Sequence, residues 1–235
     1  EPSPRLSIME KSFPGSCVVN KNGQRFANES QNYMAFQKEL FKAHSEDNPC
    51  APAYHVFDAR FRRNYIVGPM MTASMKPDWT IPKKWYDTGF VAKANTVREL
   101  AENLGVDADG LEATVAKMNG YAETGVDLDF HRGESEYDRY YADPSIVPNP
   151  CLAPIVEAPF YAMRIEAGDF GTLGGLDTDN NANVIHEQGG TIEGLYAIGN
   201  CSAAILPTYP GPGATLGPAM TMAYQAAKAI NNYQD

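Results

Sequence analysis

Positive charge is scarce in this sequence. Nineteen Lys and Arg stand against 29 Asp and Glu, a formal net charge of −10 over 235 residues. That balance argues against nucleic acid and anionic membranes as partners, because both need basic patches. Cysteine is scarce as well. Cys17, Cys50, Cys151 and Cys201 lie far apart and make no C-x-x-C pair. A reduced, cytoplasmic setting is expected rather than a disulfide framework. There is no apolar run long enough for a membrane span, no signal peptide, no internal repeat and no low-complexity tract. No G-x-G-x-x-G follows a strand anywhere, so the pyrophosphate turn of a dinucleotide fold is missing. The sequence also opens on Glu1-Pro2-Ser3-Pro4 without Met, which reads as a fragment or a processed chain.

What is present is concentrated near the end. Thr208 to Tyr224, TYPGPGATLGPAMTMAY, places Tyr209 before a Pro/Gly loop that opens into a helix. Gly211 and Gly213 let backbone approach a ligand closely. Thr215 is the expected N-cap, and Pro218 is tolerable in a first turn. Ala219, Ala223 and Ala227 recur every fourth residue and predict a small, closely packing face. A helix start of this kind favours negative charge. Gly211, Gly213 and Gly217 read G-x-G-x-x-x-G, one residue off the dinucleotide pattern, and follow Tyr-Pro rather than an apolar strand.

Upstream, Ser16 to Asn20 reads as a strand and Lys21–Gln24 as a hairpin-type turn around Asn22-Gly23. Met34 to His44 suits a helix, with Tyr33 near its start as a half-buried aromatic. Ala53 to Asp58 is a second strand. Arg60, Arg62 and Arg63 form a basic cluster that reads as a solvated face, with carboxylate binding as the sharper alternative. Trp79 and Trp85 are expected to staple a loop over 76–87 to the body. Thr96-x-x-Glu99 is a capping box opening a helix that Gly105 ends, and a second helix runs from Asp107 to Thr124, closed by Gly125. The acids of 127–143 match no metal-ligand spacing, and His131 reads as a structural or solvent-facing residue rather than a ligand. Five prolines between Pro144 and Pro159 predict an extended linker. Short strands follow: Phe160–Ile165, Asn183–His186 and Leu195–Ile198. The last stops at Gly199-Asn200, where α/β sheets gather ligands.

These stretches together resemble a known group. GTLGGLDTDNNANVI, GTIEGLYAIGN and YPGPGATLGPAMTMAYQAA look like the C-terminal flavin-binding segment of the fumarate reductase/succinate dehydrogenase flavoprotein superfamily, nearest its 3-ketosteroid Δ1-dehydrogenase branch. CVVNKNGQRFANES looks like the entry to that group's substrate-capping domain. The resemblance covers nearly the whole chain. It implies an α/β fold with an α+β cap: a capping domain over 1–164, then the C-terminal segment of an FAD-binding domain over 165–235. The N-terminal dinucleotide-binding half of the group is absent, so the chain is expected to be the C-terminal portion of a longer enzyme, with that half as its partner.

By resemblance the cofactor is FAD and the reaction is 1,2-desaturation of a 3-ketosteroid or related cyclic ketone. The Tyr209 hydroxyl and Gly213 N–H are expected on the ketone oxygen, and Tyr33 as the base. Ala214, Thr215 and Leu216 are expected to offer N–H groups to the flavin, with Gly174, Gly199 and Asn200 lining it. No metal is expected. A dicarboxylate reductase of the same superfamily is the nearest rival, kept alive by Arg60, Arg62 and Arg63. A 4-ene-forming steroid dehydrogenase and a non-catalytic fragment are further alternatives.

Overall fold

The computed structural model describes residues 7–168, 171–172, 174–209, 211 and 213–231. The chain divides into two compact units, Glu1–Gly168 and Asp169–Asp235.

The first unit is built on a four-stranded antiparallel sheet. Its strands are β1 (Ser16–Val19), β2 (Ala53–Phe57), β3 (Val91–Ala94) and β4 (Phe160–Ile165), in the order β1-β2-β4-β3. β1 and β2 are buried on both faces, which explains their near-continuous apolar runs SCVV and AYHVF. The Asn22-Gly23 turn forms, with Asn20 Oδ1 accepting from the Asn22 and Gln24 N–H groups. It does not make a hairpin, because β1 pairs with β2 and Arg25–Ser30 is left to other work.

Helices α1 (Tyr33–Ala43) and α2 (Ala59–Asn64) follow β1 and β2, and two short helices, α3 (Lys83–Asp87) and α6 (Glu136–Tyr140), precede β3 and β4. The capping box behaves as its residues dictate. The Thr96 hydroxyl accepts from Glu99 N at 3.1 Å, and α4 (Val97–Leu104) ends on Gly105 in the left-handed region. α5 (Ala108–Thr124) begins at the Asp107 cap and ends on Gly125, also left-handed. Its Leu111, Val115 and Met118 enter one core with Leu100 and Ala101 of α4 and with the sheet.

Two sequence expectations fail here. The 144–159 stretch is not a linker: Cys151, Leu152, Ala153 and Ile155 are buried, and Leu152 and Ile155 belong to the same core. Asn119 of α5 holds it, accepting from Ile155 N at 2.7 Å. Prolines here shape a packed, irregular segment. The tryptophans also part company. Trp85 packs edge-on against Phe90, whereas Trp79 is 85% exposed and staples nothing.

The second unit carries a hairpin, β5 (Asn183–Ile185) and β6 (Thr191–Tyr196), and the long helix α7 (Leu216–Ile230). A parallel bridge joins Leu176 to Ser202. Among the described residues, no helix is long and apolar enough to cross a membrane.

Candidate active site

Within the second unit, one concave surface gathers Gly199, Asn200, Tyr209, Ala214 and Thr215, with Ile205, Leu206 and Met222 as apolar lining. Asn200 sits in a 3-10 turn (Gly199–Cys201) just past β6. The loop before the hairpin is tied to it: the Thr172 hydroxyl donates to Asn200 O at 2.9 Å. Gly175 permits this approach. A Cβ there would lie 2.6 Å from Cys201 O and from Ser202 C, both backbone atoms. Gly174, next to it, is exposed, and a Cβ would meet nothing within 4 Å.

Across the concavity, Gly213 (φ +93°) turns the loop into α7, and a Cβ on it would also meet open space. Gly217 N, in the first turn of the helix, donates to Gly213 O at 2.8 Å and Ala214 N to Gly211 O at 3.2 Å, so both glycine carbonyls are engaged where the loop enters the helix. Thr215 stands at the N-cap position and Leu216 begins the helix. These are positions whose N–H groups lack intrahelical acceptors. Thr215 departs from expectation as a cap. Its backbone is helical (φ −91°, ψ −51°), so its side chain makes no capping bond. The alanine face is shifted too. Ala226 is the buried residue and Ala219 packs at Gly199, while Ala227 is exposed. The inward stripe therefore advances by three as well as four residues, following the 3.6-residue turn. Gly213, Leu216 and Gly174 flank the concavity without lining it. Pro210 and Pro212 lie outside the described residues.

Tyr33, in the first unit, is the first residue of α1. Asn32 caps it, its Oδ1 accepting from Ala35 N at 2.9 Å. The stretch leading into this helix, Arg25–Gln31, is held by a buried ionic network that sequence reasoning missed. Glu29 and Arg132 are both fully buried. Arg25 donates from Nε and Nη2 to Glu29 at 2.8 and 2.7 Å and from Nη1 and Nη2 to Asp127 at 3.1 and 2.8 Å. Arg132 donates to Ser16 O at 2.8 Å, Phe13 O at 2.9 Å and Ser30 Oγ at 3.1 Å, and lies 3.3 Å from Glu29. Burial alone would raise the Glu29 carboxyl, but Arg25 and Arg132 hold it below the usual range. The only local signal was Arg25 and Glu29 four residues apart in RFANES.

Two of the three arginines after β2 are committed to other partners. Arg62 is 2% exposed and donates to Met71 O at 2.5 Å and Lys76 O at 2.7 Å, and Arg63 makes a two-pronged pair with Glu157. Arg62 is thus a strut rather than a solvated face. Neither of these two is disposed for a substrate carboxylate, which weakens the dicarboxylate reductase reading; a terminal nitrogen of Arg60 is buried without a hydrogen-bond partner. His131 is exposed and pairs with Glu134 at 2.9 Å. No group of three or more metal-ligating side chains occurs among the described residues.

A glycine-edged helix start facing a 3-10 turn across an apolar concavity is an arrangement in which proteins hold anionic cofactors. The FAD binding domain model matches residues 6–216, and the chain belongs to that family. It is 44% identical over 232 residues to a 3-oxosteroid 1-dehydrogenase of Mycobacterium tuberculosis (97% of this chain, 40% of that protein). It is 43% identical over 229 residues to 4-oxocyclohexanecarboxylate 2-dehydrogenase of Sinomonas cyclohexanicum (96% of this chain, 38% of that protein). The crystal structure of 3-ketosteroid delta1-dehydrogenase from Sterolibacterium denitrificans, in complex with 1,4-androstadiene-3,17-dione, matches with a TM-score of 0.92 and 43% identity. It covers 100% of this chain and 42% of that one. The chain thus spans about two fifths of the length of the relatives it matches.

Proposed function

We propose that this chain is the substrate-capping and C-terminal flavin-binding portion of a longer FAD-dependent enzyme that desaturates a 3-ketosteroid or a related cyclic ketone at C1–C2. On this reading the cap is 1–164 and the flavin segment 165–235. The observation that carries it is the concavity of the second unit, where Tyr209, Asn200 and the start of α7 meet. The residues suit a flavin. Gly213 takes a positive φ that favours glycine where the loop enters α7, and the helix start favours the charge of a reduced flavin. Thr215 and Leu216 are the better-placed donors, since Ala214 N–H is engaged with Gly211 O.

FAD, when bound, supplies the hydride acceptor. The chain's residues do the rest. A C–H beside a carbonyl becomes acidic only where the developing enolate oxygen is stabilised, and Tyr209 O–H with Gly213 N–H are the donors assigned to it. Tyr33 takes the C2 proton while its own phenol proton passes to a partner. A phenol of ordinary pKa, about 10, needs a partner to pass that proton on. Ile205, Leu206 and Met222 offer an apolar wall to a hydrocarbon skeleton. The missing N-terminal half is the partner that completes the flavin site, and the compartment is the cytoplasm.

The test uses the full-length enzyme, assayed by dye reduction with a 3-ketosteroid. Tyr209→Phe is expected to lower kcat by about 10²–10³, the cost of one oxyanion donor. Near-wild-type turnover would remove the assignment.

A further inference from the structure

Lys11 is 2% exposed, an unusual place for an ammonium group. Its Nζ donates to Glu29 O at 2.8 Å and to Gln31 O at 2.7 Å. It also lies 5.0 Å from the centroid of the Phe36 ring, one turn inside α1. One cation thus grips the backbone on both sides of Ser30 and the first turn of the helix that Tyr33 begins. The Lys11 backbone is itself fixed, its carbonyl accepting from Arg132 Nη2 at 3.2 Å. Ser12 and Ser30 cross-link the same two segments at 3.4 Å.

We propose that Lys11 is a positioning residue for Tyr33: it fixes the Glu29–Gln31 backbone and thereby sets where α1 and its first residue stand. The proposal rests on the reading of Tyr33 as the proton acceptor. The physical reason is geometric. Asn32 is the cap and Tyr33 the next residue, so a shift of the 29–31 carbonyls is transmitted to Tyr33 through two peptide units. A displacement of order 1 Å in a reacting group costs about 10² in rate. Two neutral carbonyls held by one buried cation resist such a shift better than neutral contacts, because charge-assisted bonds are about twice as strong. The charged groups around Lys11 are Glu29, Arg132, Glu10 and Asp138. Burial pulls its pKa down to about 7, against the opposing field of Glu29, so the ammonium form dominates below that value and the rates are compared at pH 6.

The test is a double-mutant cycle in the full-length, flavin-loaded enzyme with a 3-ketosteroid substrate. Lys11→Met is expected to lower kcat about 10²-fold while KM stays within about threefold, since the substrate walls are untouched. In the Tyr33→Phe background the same change is expected to cost less than about threefold, because the effect passes through Tyr33. Lys11→Arg, which keeps two donors and the charge, is expected to recover part of the rate. Equal losses in both backgrounds, or a loss in KM alone, overturn the proposal and leave the Tyr33 reading standing. If Tyr33→Phe itself turns over normally, it is the Tyr33 reading that fails, and the proposal falls with it. Where Lys11→Met does not fold, Lys11→Gln carries the same cycle with the same two outcomes.

Discussion

His55 sits at the centre of β2, paired with Val18 of β1 and Met163 of β4, and is 1% exposed. Its ring meets Phe57 and Phe61 edge-on at 5.6 and 5.5 Å, and its Nε2 has no hydrogen-bond partner. Burial among these rings, with Arg132 nearby, pushes its pKa from 6.5 down to about 3. The folded protein therefore keeps His55 neutral while the unfolded chain takes up a proton below about pH 6.5. The sign follows directly. This contribution to stability is complete above the unfolded value and is lost as pH falls toward the folded one. Between pH 7 and pH 5 the loss is about 2 kcal/mol from this one group, at about 1.4 kcal/mol per pH unit once titration is under way. The perturbation is His55→Phe, which removes the proton site and an unbonded buried nitrogen while keeping an aromatic ring. At pH 7 the variant is expected to lie within about 1 kcal/mol of the parent. The assay is urea unfolding of both proteins at the two pH values, followed by circular dichroism. Every other ionisable group is common to the two proteins, so its contribution cancels in the comparison. Glu29 and Asp127 are held below the usual carboxylate range and stay charged throughout. The expected result is that the variant is spared about 2 kcal/mol of the acid loss. If both proteins lose stability equally between pH 7 and pH 5, the argument from His55 is refuted.

Two further outcomes follow from the same packing. Glu29→Gln leaves Arg132 buried beside a neutral amide, and is expected to cost about 3–5 kcal/mol, read as a lower urea midpoint at pH 7. Because the Glu29 carboxyl is held down when folded, the cost should shrink as pH falls through its folded value, and a pH-independent difference would contradict the pairing. Gly175→Ala drives a Cβ into the Cys201–Ser202 backbone, so it should cost about 1–3 kcal/mol and lower the flavin content of the full-length enzyme, whereas full flavin occupancy would show that the 172–176 loop does not shape the site.

What was legible in the sequence was local. The Thr96 box, the Asp107 cap and the glycines at 105 and 125 each act within four residues, so the helix pair could be read directly. The helix expected from Met34 forms one residue earlier, at Tyr33, and the strand at Ala53 was similarly explicit. The turn at Asn22-Gly23 was legible as a turn but misleading as a hairpin, since strand pairing is decided by partners far along the chain. β1 finds its neighbour about forty residues later, across α1. Proline content misled in the same way at 144–159. Pro restricts the backbone without saying whether the side chains between prolines are buried, and Leu152 and Ile155 are core.

The candidate site divides along the same line. The start of α7 is a chemical statement written in consecutive residues: glycines where φ is positive, Pro218 in the first turn, Tyr209 just before. The support under Tyr33 is not. Arg25 and Glu29 are four apart, a spacing that signals a surface ion pair on a helix, yet here the segment is irregular and the pair is buried. Its partners Asp127 and Arg132 lie more than a hundred residues away in sequence. Charged residues at that separation leave no periodicity to detect, and composition assigns them to the surface. The network has a consequence for where function can be perturbed. A buried carboxylate shared by two guanidinium groups tolerates neither loss of its charge nor loss of one partner. A change at Asp127 or Arg132 should therefore loosen the Arg25–Gln31 stretch that leads into α1. The lining of the second-unit concavity is mostly apolar, and single substitutions there should act locally.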